Sequence, residues 1–372
     1  MNRRTLLLIV LLAPVLLPLA AGAQPAEVRY TATDVTTLGG AATGPLHLND
    51  AGDVGGSAYF PMPGGTTQLR PIIYSNGVLT DLGLPAGASE GYVNDLNDRA
   101  DAAVNYTFDG PVGRPYTYAG GVLVPVELPA GVNGGLAYGI NNLGRLVGSG
   151  QTVDGFRPFL YRPGVGSTRL DTPGGPVFAP IDVNDRGQVL GRYSTLSGGR
   201  LRSHAVVWSN GTTTEIATPA GWLETDPVDI NESGDVVGMV RNQPGMDNGV
   251  RRPFLYRDGR MTLLDGFGVF ADPRAVNDLG EFVGTYLGGL TTHGYLYSDG
   301  AYQDIGRMAS LPDGFDIYAA DDVNNLGQIL VRAQNAAGER RTFLLTPVPE
   351  PGVVGAIAVA GAWGLLARRR RS

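Results

Sequence analysis

Cysteine is absent from the 372 residues. If the chain is exported, it is held without disulfides and must bury a genuine core. Histidine is nearly absent too: His47, His204 and His293 are the only three. With no thiols and so few imidazoles, transition-metal ligation is poorly supplied, and neither a metal nor a cofactor is expected. His204 and His293 fall in equivalent slots of a repeat, which suits a repeat role over a metal pair. Lysine is missing, so all 28 basic residues are arginine. Six of them lie in the two ends, as does one of the 35 acids, which leaves residues 24–349 a formal charge of −12. Nucleic acid prefers a basic face, so it is excluded as a partner. There is no Gly-x-Ser-x-Gly elbow, no phosphate loop and no Ser-x-Asp-x-Gly-x-Thr-Trp box.

What is present is periodic. Val183-Asn184-Asp185-Arg186-Gly187-Gln188-Val189-Leu190-Gly191 recurs six times in variant form, giving seven copies. Each copy reads aliphatic, Asn, acid or Asn, any residue, small, any residue, then mostly apolar. The asparagines are Asn49, Asn97, Asn141, Asn184, Asn231, Asn277 and Asn324, at spacings of 43 to 48 residues. Such a period marks a repeat architecture. It also lets residues 24–349 exceed the usual single-core limit of ~250–300 by stacking small units.

The fourth copy predicts four strands. Residues 177–183 form strand A, with Pro180 at an edge or at the first paired residue. Asn184-Asp185-Arg186-Gly187 is a tight turn in which Asn and Asp bond nearby backbone and Gly takes the left-handed position. Residues 188–193 form strand B, 194–203 a polar loop, 204–208 strand C and 213–217 strand D. Ser209-Asn210-Gly211 between C and D is a hairpin turn. Four short strands in ~45 residues describe a propeller blade. Residues 31–35 read as a lone strand D, while the seventh repeat ends after its strand C at 343–345. The expectation is therefore an all-β, seven-bladed propeller closed by the N-terminal strand, which leaves no free edge. An open β-repeat solenoid is the alternative, although it would need polar caps that are not evident.

Strand C carries a second signature: Arg157-Pro158-Phe159-Leu160-Tyr161, His204-Ala205-Val206-Val207-Trp208, Arg252-Pro253-Phe254-Leu255-Tyr256 and His293-Gly294-Tyr295-Leu296-Tyr297. Together with the Asn-Asp-x-Gly turn, it resembles the HAF repeat of extracellular bacterial proteins across nearly the whole of residues 24–347. The sequence departs from that pattern where Arg-Pro replaces His-Ala, and where Ala100 and Val104 replace glycines. The resemblance implies export and a surface or matrix setting, with no known reaction.

The ends read as addresses. Arg3-Arg4 precedes an apolar stretch, and Ala21-Gly22-Ala23 is a small-residue cleavage site, so residues 1–23 are a signal peptide for signal peptidase. The arginine pair leaves twin-arginine export open beside the general route. Residues 348–372 hold Pro349-Glu350-Pro351, an apolar transmembrane segment at 352–367 and Arg368-Arg369-Arg370-Arg371. In motif, order and position this resembles the PEP-CTERM sorting signal. The resemblance implies recognition by an exosortase-type enzyme, removal of the tail and only transient residence in the inner membrane. An ordinary membrane anchor is the alternative, though 16 residues fall short of the ~17–25 of a spanning helix.

In a meander, the A–B and C–D turns lie on one face and the B–C and D–A loops on the other. The second set varies in length and content, which makes that face the candidate binding surface. The residue opening strand C there is Arg70, Arg114, Arg157, His204, Arg252, His293 or Arg341. One reading is a cationic ring that grips an anionic polysaccharide. The other is local pairing, which sets Arg70 beside Asp81, His204 beside Glu215, Arg252 beside Asp265 and His293 beside Asp304. Trp208 and Trp222 offer faces for sugars, though blade aromatics are usually core. Asn49–Asp53 and Asn231–Asp235 offer oxygens for calcium but lack the spacing and the closing Glu of a calcium loop. The expectation is a non-enzymatic binding or scaffolding protein of the cell surface or the extracellular matrix, linked to exopolysaccharide. A glycan-cleaving propeller, glycosidase or lyase, is the alternative.

Overall fold

The computed structural model describes residues 30–35, 46–110, 112–170, 177–242, 250–265 and 270–348. The two end segments read as addresses, with Ala21, Ala23, Pro349, Glu350, Pro351 and Arg368 to Arg371, lie outside the described residues. Among the described residues no helix is long and apolar enough to cross a membrane; the run 352–367 is not among them.

Seven four-stranded antiparallel sheets make seven blades. Six are simple meanders, at 47–81, 88–125, 135–169, 179–216, 224–263 and 272–304. The seventh takes three strands from 316–347 and its outer strand from Tyr30–Asp34, which pairs antiparallel with Arg340–Pro347. The chain is thus a ring closed by its own N-terminal strand, and not an open solenoid.

The motif residues explain the blade. Strand A ends at the Asn turn, where Gly187 takes φ +75° and its N–H returns to the Asn184 carbonyl at 2.9 Å. Ala100, at the equivalent place in the second repeat, is forced to φ +56°. In three blades the motif's last glycine sits in strand B directly across from an aromatic of strand C, Gly148 from Phe159, Gly238 from Phe254 and Gly284 from Tyr295, while Gly56 faces Ile72 and Gly191 faces Val206. A Cβ on Gly238 would lie 2.8 Å from the Phe254 ring, so the ring needs the missing side chain. The second repeat solves the same contact with Val104 opposite Tyr116.

Blades pack by burying apolar residues between neighbouring sheets. Val147 and Leu160 of the third meet Phe178, Val183, Val189 and Val206 of the fourth, and Trp208 joins this core. Repeating such contacts round the ring gives each blade two partners.

Two boundaries differ from the sequence reading. Strands B and C of the fourth blade run on to Ser197 and from Arg200, so the expected polar loop 194–203 is a hairpin arm turned by Gly198 and Gly199. Period-2 patterning weakens once a hairpin leaves the packed body. Pro180 lies at a β-bulge of strand A, which shifts register between Pro180 and Asp182. That strand is the inner edge of its sheet, where a missing N–H does no harm.

Candidate functional site

The seven A strands surround the axis. Each motif asparagine is buried, at 2–5 % exposure, and none is spare. Its Oδ1 accepts backbone N–H groups of its own turn, for example from Leu143 and Arg145 onto Asn141 at 3.1 and 2.9 Å. Its Nδ2 donates to the carbonyl of the next blade's asparagine. The chain of donations runs Asn49 to Asn97, Asn141, Asn184, Asn231, Asn277, Asn324 and back to Asn49, every link between 2.8 and 3.1 Å. The following residue forms a second closed belt. The backbone N–H of Asp50 donates to Asp98, and the pattern continues through Asn142, Asp185, Glu232, Asp278 and Asn325 to Asp50, at 2.7–2.8 Å. The repeat signature is thus an inter-blade clasp as well as a turn.

The ends of the A strands enclose an axial cavity of about 600 Å³. The residue two before the motif asparagine lines it in six blades, His47, Asp95, Asp182, Asp229, Ala275 and Asp322, and is Gly139 in the third. Three of the aspartates join adjacent blades. Asp95 accepts from Leu96 and Ile140, Asp229 from Ile230 and Val276, and Asp322 from Val323 and Leu48, all at 2.7–2.9 Å. Gly139 leaves room for Asp182, because a Cβ there would press on its carboxylate and lie 3.0 Å from its Cα. Burial raises the pKa of all four aspartates. The Asp229 carboxylate beside it raises Asp182 further. Burial pushes His47 down to about 4, leaving it neutral beside Asp95, with Nδ1 to Oδ1 at 3.8 Å. Among the described residues no group of three or more His, Cys, Asp or Glu side chains is arranged to hold a metal ion. The sequence reading did not single out this axial set. Its signal was the fixed offset of two residues before the asparagine.

The seven strand C cations occupy one equivalent slot, each opposite the strand B residue that lies two beyond the motif's last position. Only Arg114 opens its strand; the others lie one to four residues inside it, because strand C starts earlier than the sequence suggested. Arg70 pairs with Asp81 at 2.9 Å, His204 with Glu215 at 3.2 Å and Arg252 with Asp265 at 3.0 Å. Asp304 instead accepts from Tyr286 Oη at 3.0 Å, and His293 stacks on the Tyr286 ring and meets Thr291 Oγ1. Arg341 pairs with Glu339 and Asp34, and Arg157 donates to the Phe156 carbonyl.

Six of the seven also rest on an aromatic face. Arg70 lies over Phe60, Arg114 over Phe108, Arg252 over Trp222 and Arg341 over Phe315, at 4.7–5.8 Å to the ring centre. His204 stacks on Tyr193 and His293 on Tyr286. A guanidinium over a ring gains ~0.5–1 kcal/mol at exposed sites and is held in one place. The ring is therefore a set of preformed cation–aromatic pairs, most of them with a local acid. Sequence spacing could propose the acids, but not aromatics arriving from strand B or from the loop before strand A.

No protein-family model matches the chain, and no curated protein does. Solved structures match at the level of fold. The β-propeller domain of the Trilobed protease from Pyrococcus furiosus, described as having an open velcro topology, aligns with a TM-score of 0.57 at 9% identity, over 86% of this chain and 93% of that one. Pyrococcus horikoshii acylaminoacyl peptidase aligns at 0.55 and 9% identity, over 84% of this chain and 53% of its own. An oligogalacturonate lyase from Vibrio parahaemolyticus aligns at 0.51 and 11% identity, over 87% and 98%. At such identities the likeness is one of β-propeller architecture, shared by proteins with different activities.

Proposed function

We propose that the chain is an exported, non-catalytic propeller of the HAF-repeat kind that binds or scaffolds at the cell surface or in an extracellular polysaccharide matrix, delivered by a PEP-CTERM-type signal. The observation that supports the binding role is the set of five arginines and two histidines in equivalent slots on the loop face, six of them seated on aromatic rings. Aromatic faces stack on sugars and guanidinium groups pair with their carboxylates. The near-equivalence of the blades supports a scaffold, since catalysis needs one blade to differ. The export role rests on the two ends of the sequence. Intact mass spectrometry of surface and matrix fractions tests it: the mature species should start near Gln24 and lack Trp363 and the four terminal arginines. Glu350→Ala should hold the protein unprocessed in the membrane fraction. A matrix species that still carries Trp363 would point to a permanent anchor instead.

One observation favours the second reading, a glycan-cleaving enzyme: Asp182 and Asp229 line one axial cavity, and burial raises the pKa of both carboxyls, as a general acid needs. Against it, both oxygens of Asp229 already accept backbone N–H groups. Release of reducing ends from acidic glycans, abolished by Asp229→Asn, would establish that reading.

A further inference from the structure

A cleft of about 560 Å³ lies between the second and third blades on the loop face. Its walls come from residues 108–110, 112 and 114 of one blade and from two segments of the next, the residues before strand A and the end of strand B. The Gly135 N–H donates to the Gly113 carbonyl at 2.9 Å, tying one blade to the other beneath it. Asn133 and Gln151 are tied together in turn, the Asn133 N–H donating to the Gln151 carbonyl at 3.1 Å. The frame is therefore built of backbone hydrogen bonds and is present before any ligand arrives.

Three kinds of group converge in it. Phe108 presents a half-buried ring, and Arg114, exposed, lies 4.7 Å above that ring. Among the described residues no carboxylate pairs with Arg114, whereas Arg70, His204, Arg252 and Arg341 each have one. The position that supplies Asp81 in the first blade and Glu215 in the fourth is Pro125 in the second. Asn133 and Gln151 add side-chain amides that make no hydrogen bond to the protein among the described residues. Asp109, at the rim, is the one opposing charge in the lining.

We infer that this cleft is a subsite for a uronic acid residue of an acidic polysaccharide, with Arg114, held over Phe108, on its carboxylate, and Asn133 and Gln151 on its hydroxyls. The inference rests on the binding role proposed above and narrows it to one inter-blade cleft. The Phe108 ring fixes the guanidinium in place, the uncompensated guanidinium selects the acid sugar over the neutral one, and amides both donate and accept, as vicinal hydroxyls need. The other ring positions are less suited: among the described residues Arg157 has no aromatic ring beneath it, and the rest carry a local carboxylate or are stacked histidines.

Calorimetric titration of the full-length chain in mild detergent tests this, with tetramannuronate, mannotetraose and tetraglutamate as probes. Tetramannuronate should bind, and more weakly as salt is raised. Arg114→Gln should weaken it at least tenfold. Asn133→Asp, at an exposed position, should do the same by placing a like charge in the cleft. Asp109→Asn should tighten binding, and Arg260→Gln, on the opposite face, should stay within twofold. Unchanged binding by Arg114→Gln and Asn133→Asp, with loss at Arg252→Gln instead, would overturn the cleft and leave the surface-binding reading standing. Equal binding of mannotetraose or of tetraglutamate would overturn the assignment to uronic acids. No binding of tetramannuronate by the wild type would also overturn the cleft, while export and sorting are decided separately by the mature mass.

Discussion

Asn141 makes three hydrogen bonds with one buried amide. It closes its own turn through the N–H groups of Leu143 and Arg145, and it holds the next blade through the Asn184 carbonyl. Asn141→Ala would strand buried donors and an acceptor and break one of seven links. An unsatisfied buried group costs about 1–3 kcal/mol, so a loss of about 2–4 kcal/mol is expected from denaturant unfolding. Leu143→Ala, two residues on and 51 % exposed, should stay within about 0.5 kcal/mol. Equal effects at the two positions would show that the belt contributes little. The turn role of the asparagine was legible in the sequence, because Asn followed by an acid and then Gly is turn chemistry. The belt was not, since it requires that turns 43–48 residues apart stand side by side.

At the scale of the element, the strand Tyr30–Asp34 is decisive. It forms the outer strand of the seventh blade in register with Phe343 to Pro347, and Tyr30 and Val35 are buried at its ends. Deleting Tyr30–Asp34 exposes the Arg340–Pro347 edge of that blade. The melting temperature should fall further than on shortening the 62–66 loop, and light scattering should report association through the open edge. A monomer with an unchanged melting curve would mean that this strand contributes nothing to closure. The strand could be anticipated because the seventh repeat lacks a D strand and the chain begins with one. Strand lengths could not: where a hairpin arm projects beyond the packed body, as at 194–203, no buried face imposes an alternating pattern.

At the scale of the whole molecule, the axial cavity concentrates ionisable groups that burial keeps neutral. The folded-state pKa of Asp95, Asp182, Asp229 and Asp322 is raised, and that of Glu232 rises to about 7. The folded ring therefore binds protons that the unfolded chain has released. Their stabilising contribution is complete below the ordinary carboxylate pKa and is lost as pH rises through the raised values. His47, lowered to about 4, opposes this between there and about 6.5, but it is one group against five. The midpoint of denaturant unfolding should thus be higher at pH 5 than at pH 8. Asp182→Asn, which keeps a donor without a titrating proton, should flatten the slope. A midpoint that rises steadily from pH 5 to 8 would contradict the raised carboxyl values.

The repeat of Asn49 to Asn324, the glycines opposite Phe159 and Phe254, and the unpaired strands at the two ends of the array determined seven blades and their closure by local rules alone. Turn chemistry, alternation and spacing act within ~45 residues, and those can be read along a chain. The axial aspartates, the aromatic beneath each cation and the cleft at Arg114 were decided by tertiary structure. Each depends on which residues of different blades or strands meet after the ring closes. Asp95 reaches Ile140, and Asn324 reaches Asn49 across 275 positions of chain. Only the closed geometry brings such groups within hydrogen-bonding distance and removes the water that would otherwise set their charge.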